Sequence, residues 1–303
     1  MLNILKILIL AVVQGATELL PVSSSAHVIV AEKLMGLDPT KPQMTLLLVM
    51  LHTGTMLAVI VFFWNSWKAN FFTSQKVFLE SAKFIIMATI ATGFVGLLLK
   101  VLIEKILLKG VAHPEVELLF GNLPLISAGL AAAGALILWA GYRVLIPDTR
   151  RSSGQRSIFR RGGPCVRPFG LKDACLIGIV QGICLPFRGF SRSGSTISTG
   201  LILGIEKRRV EDFSFALAVI LTPPVILVEA LRFLKAQHVH AHHGASVIGL
   251  FLPGLMGMVL SFISGILALQ WLSNWLQRGR WYLFGVYCLC ASVVIFFLHC
   301  QGL

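Results

Sequence analysis

Six long runs of apolar residues restrict this chain to one class of structure. They occupy residues 46–64, 79–99, 124–146, 213–231, 246–270 and 281–299. A helix needs about 20 apolar residues to cross the hydrocarbon core of a bilayer, and each run is close to that length. The sequence therefore predicts an all-α polytopic membrane protein with about six full transmembrane helices. Composition excludes a water-soluble enzyme, since 56% of the 303 residues are hydrophobic and only 13% are charged.

Two further apolar stretches are interrupted by polar residues. Residues 4–35 are broken at 14–18 and 21–25, and residues 174–204 are broken at 186–195. Each piece is too short to cross a bilayer alone, and irregular backbone at membrane depth must line a cavity or be buried in protein. We therefore predict two re-entrant helix-loop-helix hairpins, at 4–35 and 174–204.

The two interrupted stretches resemble each other in sequence. Val13-Gln14-Gly15 is matched by Val180-Gln181-Gly182, Leu20-Pro21 is matched by Leu185-Pro186, and serines follow each pair. Three predicted spans come after each hairpin, and an odd number of crossings places the two halves in opposite orientations. This pattern predicts an inverted-topology repeat, with the broken helices meeting near the middle of the membrane.

Basic residues predict the domain boundaries and the orientation. We divide the chain into a first repeat at 1–146, a basic cytoplasmic linker at 147–172 and a second repeat at 173–303. Eight Lys and Arg residues against one Asp in 143–172 place this region in the cytoplasm. The same topology puts 15 of the 26 cations inside and 8 outside, with both termini outside. The net charge of +13 then reflects orientation and lipid headgroups rather than binding of nucleic acid.

The first hairpin carries candidate catalytic residues. Ionisable side chains at membrane depth are costly unless they are paired, so Glu18 and His27 are functional candidates. Glu18 lies one helical turn after Gln14, so the pair would hold a divalent metal, or Glu18 would act as acid or base. A structural hydrogen bond to the other hairpin is the alternative. Ser24 opens the next helix, whose free N–H groups suit a phosphate, and His27 would serve as base or nucleophile. Ser23 and Ser25 are candidate phosphate ligands, with helix capping as the alternative.

The second hairpin predicts an anion site. Glycines there allow close backbone approach, hydroxyl and N–H groups donate hydrogen bonds, and a guanidinium forms two parallel bonds to phosphate oxygens. Arg192 is the candidate catalytic cation. The candidate phosphate-binding residues are Arg188, Gly189, Ser191, Ser193, Gly194, Ser195 and Thr196.

Two other histidine positions remain open. His52, in the first full span, is as consistent with a cavity-lining side chain as with a structural one. Residues 238–243 contain four histidines, but a solvated outer loop is favoured there over a metal site.

The two motifs together are similar to those of a known family. The block from Gln14 to His27, with Gly189-Phe190-Ser191-Arg192-Ser193-Gly194, resembles the bacterial undecaprenyl pyrophosphate phosphatase family of the bacitracin-resistance type. The resemblance follows the order of spans through nearly the whole chain. It carries the acidic motif of the family to Gln14 and Glu18, its serine and histidine to Ser24 and His27, and its arginine to Arg192. Two features depart from the family pattern. Arg188 stands where the family has a proline, and the loop at 150–167 is rich in arginine.

Membership of this family implies hydrolysis of undecaprenyl diphosphate to undecaprenyl phosphate and inorganic phosphate. The reaction recycles the lipid carrier of peptidoglycan synthesis and confers bacitracin resistance. A divalent cation, Mg²⁺ or Ca²⁺, is the expected cofactor, membrane lipids are expected partners, and a homodimer is left open. The expected location is the bacterial inner membrane, with the site open to the periplasmic side. A transporter or flippase of undecaprenyl phosphate using the same anion site is the alternative, since inverted repeats with broken helices are typical of transporters.

Overall fold

The computed structural model describes residues 4–37, 42–107, 119, 121–145, 168–239 and 247–302. Within these ranges the chain forms α-helices and no strand, which confirms the predicted all-α class. The helices are α1 Ile4–Leu19, α2 Ser24–Leu34, α3 Pro42–Phe71, α4 Gln75–Leu102, α5 Leu123–Leu145, α6 Leu171–Cys184, α7 Arg192–Ile202, α8 Lys207–Val239, α9 Val247–Gln277 and α10 Tyr282–Cys300. A π-helical turn, Ile103–Leu107, extends α4.

Six of the described helices are long and apolar enough to cross a membrane: α3, α4, α5, α8, α9 and α10. The predicted number and order of spans are confirmed. Helix ends differ from the prediction: α4 begins at Gln75 rather than 79, and α9 ends at Gln277 rather than 270. Backbone hydrogen bonds continue a helix past its apolar run, because they do not depend on apolar side chains.

Large apolar side chains are exposed on the outer faces of these helices. Phe94 on α4 is 68% exposed, and Val293 on α10 is 69% exposed. In water such faces would be unfavourable, whereas acyl chains cover them without cost. The chain is a multi-pass membrane protein.

The two interrupted stretches form pairs of short helices. We name α1 with α2 the first hairpin and α6 with α7 the second hairpin. The longest of these helices, α1, has 16 residues and is about 24 Å long, which is shorter than the hydrocarbon core of about 30 Å. Insertion of the hairpins into the bilayer stays a prediction.

Helices of the two halves pack in matching pairs. The first hairpin lays α1 along α9, the second lays α6 along α4, and α5 packs against α10. Small residues permit both hairpin contacts: a Cβ on Gly15 would lie 2.6 Å from the Ser261 carbonyl oxygen, and one on Gly178 would lie 2.3 Å from that of Ala88. Each hairpin thus packs against a spanning helix of the other half, α9 for the first and α4 for the second, which is the packing that an inverted repeat predicts. The repeat boundaries stay predictions, and most of the linker at 147–172 lies outside the described residues.

Candidate active site

A cavity of about 240 Å³ lies where the turns of the two hairpins meet. Its polar wall comes from both hairpins and α3, and consists of Thr17, Glu18, Ser23, Ser24, Ser25, His52, Arg188, Ser191, Arg192 and Ser193. Its apolar wall consists of Cys184, Leu185, Phe187 and Phe190, and Gly189 also contributes to the lining. The cavity therefore places a cation and many hydroxyl groups beside an apolar surface.

An ion pair joins the two hairpins at this cavity. Arg192 donates from Nη2 to Glu18 Oε1 over 2.8 Å. The side chains of Arg192 and Glu18 are 28% and 15% exposed. Because the pair is largely removed from water, its attraction is stronger than that of a surface pair and its geometry is better defined. The residues that the sequence singled out from opposite halves of the chain are thus in direct contact.

The second oxygen of Glu18 is held by its own hairpin. Ser24 donates from its hydroxyl to Oε2 over 2.6 Å, and Gln14 donates from Nε2 to the same oxygen over 3.1 Å. Gln14 reaches it because it lies one helical turn before Glu18 on α1. Both members of the predicted acidic motif therefore face one another, and Ser24 is fixed beside the carboxylate.

The first hairpin reverses direction in a strained turn. We name residues 20–25 the serine turn. Ser23 has φ +66° and ψ +95°, and among the described residues it is the one non-glycine with positive φ. A side chain in this region of backbone space costs roughly 1–3 kcal/mol and persists where the surroundings hold it. The Ser23 and Ser25 hydroxyls lie 3.2 Å apart on the cavity wall.

His27 lies behind the serine turn and does not line the cavity. Its Nδ1 is 2.8 Å from the Ser23 carbonyl oxygen, and its Nε2 is 2.7 Å from the Tyr287 hydroxyl on α10. The Nδ1–H donates to the carbonyl, so Nε2 accepts from tyrosine in the neutral ring. The two rings stack with centroids 5.7 Å apart. Both nitrogens of the predicted nucleophile or base are thus occupied by the protein.

His52 faces the cavity. Its Nδ1 lies 2.8 Å from the Leu48 carbonyl oxygen one helical turn earlier, which assigns the Nδ1–H as donor. Its Nε2 lies 3.9 Å from Glu18 Oε2. Of the two readings left open for His52, the structure supports the cavity-lining one.

Glycines allow the second turn to pack against α5. Gly189 has φ +97°, and a Cβ there would lie 2.2 Å from the Ile126 carbonyl oxygen. From the opposite side, a Cβ on Gly129 would lie 2.8 Å from the Arg188 carbonyl oxygen. The turn thus rests directly on the α5 backbone, and the side chain of Arg188 joins the cavity lining.

The start of α7 is tied to the first hairpin. Ser191 caps this helix, its hydroxyl accepting from the Gly194 N–H over 3.2 Å. Ser193 donates from its hydroxyl to the Leu20 carbonyl oxygen over 3.2 Å. A Cβ on Gly194 would lie 3.2 Å from Pro21, so glycine permits this close approach. The two turns are therefore locked together beside the cavity.

Three of the predicted phosphate-binding residues lie outside the cavity lining. Gly194 is buried against Pro21, and Ser195 and Thr196 are both fully buried in α7. Thr196 pairs with the Ser214 hydroxyl on α8 over 2.5 Å. The other six, which are Ser23, Ser25, Arg188, Gly189, Ser191 and Ser193, line the cavity.

The donor set limits how a divalent cation would bind. Among the described residues no group of three His, Cys, Asp or Glu side chains forms a metal site. Both Glu18 oxygens accept hydrogen bonds, from Arg192 and from Ser24 and Gln14. Magnesium sites in proteins commonly use one or two carboxylates together with substrate phosphates. A cation site that shares its ligands with a phosphate stays a prediction. The 238–243 histidines lie outside the described side chains.

The sequence motifs did not identify several residues that surround the predicted site residues. Leu185 and Phe187 form part of the apolar wall, and apolar residues in an apolar chain give no local signal. Tyr287 contacts His27 from 260 positions away, and a tyrosine in a predicted span has no distinguishing pattern. His52 was recognisable because an ionisable side chain interrupts the first apolar span.

Comparisons with known proteins agree with the motifs. The family model of "Bacitracin resistance protein BacA" matches residues 7–294. A protein of Acinetobacter baylyi named undecaprenyl-diphosphatase 2 is 54% identical over 297 residues, covering 97% of each chain. A protein of Burkholderia ambifaria with the same name is 33% identical, with 96% of each chain covered. An undecaprenyl-diphosphatase of Thermodesulfovibrio yellowstonii is 30% identical, with 98% of each chain covered.

Proposed function

Because this chain belongs to the family of the bacitracin resistance protein BacA, we propose that it hydrolyses undecaprenyl diphosphate, releasing undecaprenyl phosphate and inorganic phosphate. The observation that carries the proposal is the cavity between the hairpins, which is lined by Arg192 and serine hydroxyls together with Leu185 and Phe187. A diphosphate on a prenyl chain needs both kinds of wall, because its head is anionic and its tail is apolar. The relatives named above are diphosphatases, so the transporter alternative gains no support.

Arg192 provides the main electrostatic stabilisation in this proposal. One guanidinium nitrogen donates to Glu18, which leaves the remaining donors free to bind equatorial phosphate oxygens. Charge on those oxygens is spread out in the transition state of phosphoryl transfer, and a preoriented donor stabilises it without reorganisation. The ion pair with Glu18 thus serves to hold Arg192 in place before the substrate arrives.

In this proposal, Ser24 and Glu18 activate the attacking group. The Ser24 hydroxyl already donates to Glu18 Oε2, so the carboxylate is placed to accept a proton from Ser24 or from a water molecule beside it. His27 lies behind the turn with both ring nitrogens occupied, which supports a water route over direct attack by histidine. Water oxygen bonds to the terminal phosphorus, its proton passes to the carboxylate, and the bridging P–O bond breaks with its electron pair leaving on undecaprenyl phosphate.

A divalent cation is part of the proposal. Glu18 and the Gln14 amide oxygen would hold it together with oxygens of the diphosphate. Bound there, Mg²⁺ or Ca²⁺ would supply neutralisation of phosphate charge.

The location proposed is the bacterial inner membrane, with the cavity opening to the periplasmic side. Phe187 packs against Ile103, which directly follows α4, and the predicted topology places this end of α4 outside. A Phe187→Cys variant, with Cys165, Cys175, Cys290 and Cys300 replaced by serine, should react with an impermeant maleimide in spheroplasts. Reaction only in inverted vesicles would show that the cavity opens to the cytoplasmic side.

Membrane lipids are the proposed surroundings of the exposed apolar faces. Formation of a homodimer stays a prediction, which crosslinking in native membranes would test.

A product assay on purified protein tests the function. In nanodiscs, undecaprenyl diphosphate should yield equal amounts of inorganic phosphate and undecaprenyl phosphate. Tight binding of undecaprenyl phosphate, without phosphate release from the diphosphate under any ionic condition, would instead favour transport.

A further inference from the structure

The last helix of the chain reaches the serine turn through two adjacent residues. Tyr287 on α10 lies with its hydroxyl 2.7 Å from His27 Nε2. The next residue, Cys288, donates from Sγ to the Pro21 carbonyl oxygen over 3.2 Å and is fully buried. No sequence motif points to either contact, and neither residue lines the cavity.

His27 connects Tyr287 to Ser23. Its ring donates from Nδ1 to the Ser23 carbonyl oxygen over 2.8 Å. The carbonyl belongs to the residue whose backbone is strained, with φ +66°. A hydrogen bond to that carbonyl fixes the peptide plane that follows Ser23, and the tyrosine fixes the ring that makes the bond. An unbroken series of contacts therefore runs from Tyr287 through His27 to Ser23.

We propose that Tyr287 is a positioning residue for the hydrolysis, holding the serine turn in its strained conformation through His27. This inference rests on the proposed function, because it concerns the same cavity. Ser23 and Ser25 line the cavity, and Ser24 contacts Glu18, so a turn that relaxes displaces all three hydroxyl groups. Tyr287 does not touch the reacting atoms and acts only by keeping these groups in place. Its partner His27 then acts as a positioning residue as well.

The local packing allows a clean variant. Tyr287 is 45% exposed, so removing its hydroxyl in Tyr287→Phe leaves the stacked ring and opens no core cavity. Tyr282→Phe, on the first turn of the same helix and 37% exposed, is the matched control. Ser23→Gly is the diagnostic background, because glycine adopts positive φ without strain and no longer needs the series of contacts.

The experiment measures kcat/KM for phosphate release in five proteins: wild type, Tyr287→Phe, Ser23→Gly, the double variant of these two, and the control Tyr282→Phe. Loss of one hydrogen bond predicts about a tenfold decrease for Tyr287→Phe in the wild-type background. In the Ser23→Gly background the same substitution should change the rate less than about twofold, since the strain it controls is absent. Tyr282→Phe should match wild type, and a cooperative melting transition should show that each of the five proteins is folded.

Two results would overturn the proposal. A wild-type rate for Tyr287→Phe would show that the hydroxyl positions nothing, and an equal tenfold loss in both backgrounds would show that it acts elsewhere. If wild type itself releases no phosphate, the proposed function fails. The contact between Tyr287 and His27 is then tested separately by ¹⁵N NMR of the His27 ring. Tyr287→Phe should shift the Nε2 resonance, assigned by its absence in His27→Asn, and an unchanged resonance would refute the contact.

Discussion

Arg192 and Glu18 meet over 2.8 Å across 174 positions of sequence, and their contact joins two hairpins from opposite halves of the chain. Each side chain alone would be an unpaired charge in an apolar protein, which costs several kcal/mol. Paired, they line a cavity whose wall also contains serine hydroxyls and apolar side chains. The same contact therefore joins the two hairpins and supplies groups for the chemistry proposed.

Arg192→Lys should keep the charge but lose most of the activity. Lysine cannot reproduce the planar guanidinium, so it cannot bond Glu18 and two phosphate oxygens at fixed geometry. We expect kcat to fall about 10²–10³-fold, the usual cost of removing a donor to transition-state charge. Steady-state kinetics with a melting curve for each protein measures this. Lys207→Arg, at the start of α8 and outside the cavity, is the control, and equal losses in both variants would argue against a specific role.

Removal of divalent ions should abolish phosphate release, and added Mg²⁺ or Ca²⁺ should restore it. Glu18→Gln should raise the cation concentration needed for half of its remaining activity, because an amide is a weaker ligand than a carboxylate. Glu80→Gln, exposed on α4, should leave that concentration unchanged. Full activity in excess chelator would remove the cation from the proposal.

Gly189→Ala should destabilise the protein and reduce its activity. The new Cβ would lie 2.2 Å from the Ile126 carbonyl oxygen, at a φ of +97° that alanine avoids. Gly36→Ala is the matched control, since Gly36 has φ +61° with open space around it and should cost only about 1 kcal/mol. Thermal unfolding in detergent compares the two. A larger loss for Gly36→Ala would mean that the second turn does not rest on α5 as described.

Leu185→Ser should weaken binding of long prenyl substrates selectively. Leu185 belongs to the apolar wall and is 52% exposed, so it is free to contact a prenyl chain. Losing that apolar contact should raise KM for undecaprenyl diphosphate about tenfold and leave KM for isopentenyl diphosphate nearly unchanged. Leu97→Ser, 65% exposed on α4 and outside the cavity lining, is the control. Equal effects on both substrates would place the prenyl chain elsewhere.

Much of this architecture was predictable because it follows from local sequence. Continuous apolar runs of about 20 residues predict helices, since a helix satisfies its own backbone hydrogen bonds in lipid and the strands of a closed barrel are about half that length, and six were confirmed. The breaks at Pro21 and Pro186 were visible for the opposite reason, because polar residues there interrupt the apolar pattern. Ionisable residues in an apolar chain then marked Glu18 and Arg192, and the structure places both in one cavity.

Side-chain direction was not predictable in the same way. His27 was expected to face the cavity, but its ring turns toward Ser23 and Tyr287, and only the packing of α10 against the hairpin determines this. Ser195 and Thr196 share a motif with Arg192, yet helical geometry turns them into the core. Helix ends such as Gln277 also lie beyond their apolar runs, where hydropathy carries no signal.

The rate of phosphate release by Glu18→Ala protein tests the central claim most directly. The substitution removes the carboxylate that holds both Arg192 and Ser24, so the hairpins lose the ion pair that joins them at the cavity. With undecaprenyl diphosphate in nanodiscs, and with a cooperative melting transition showing that the variant is folded, we expect less than about 1% of the wild-type rate. A folded Glu18→Ala protein that releases phosphate at the wild-type rate would contradict the account.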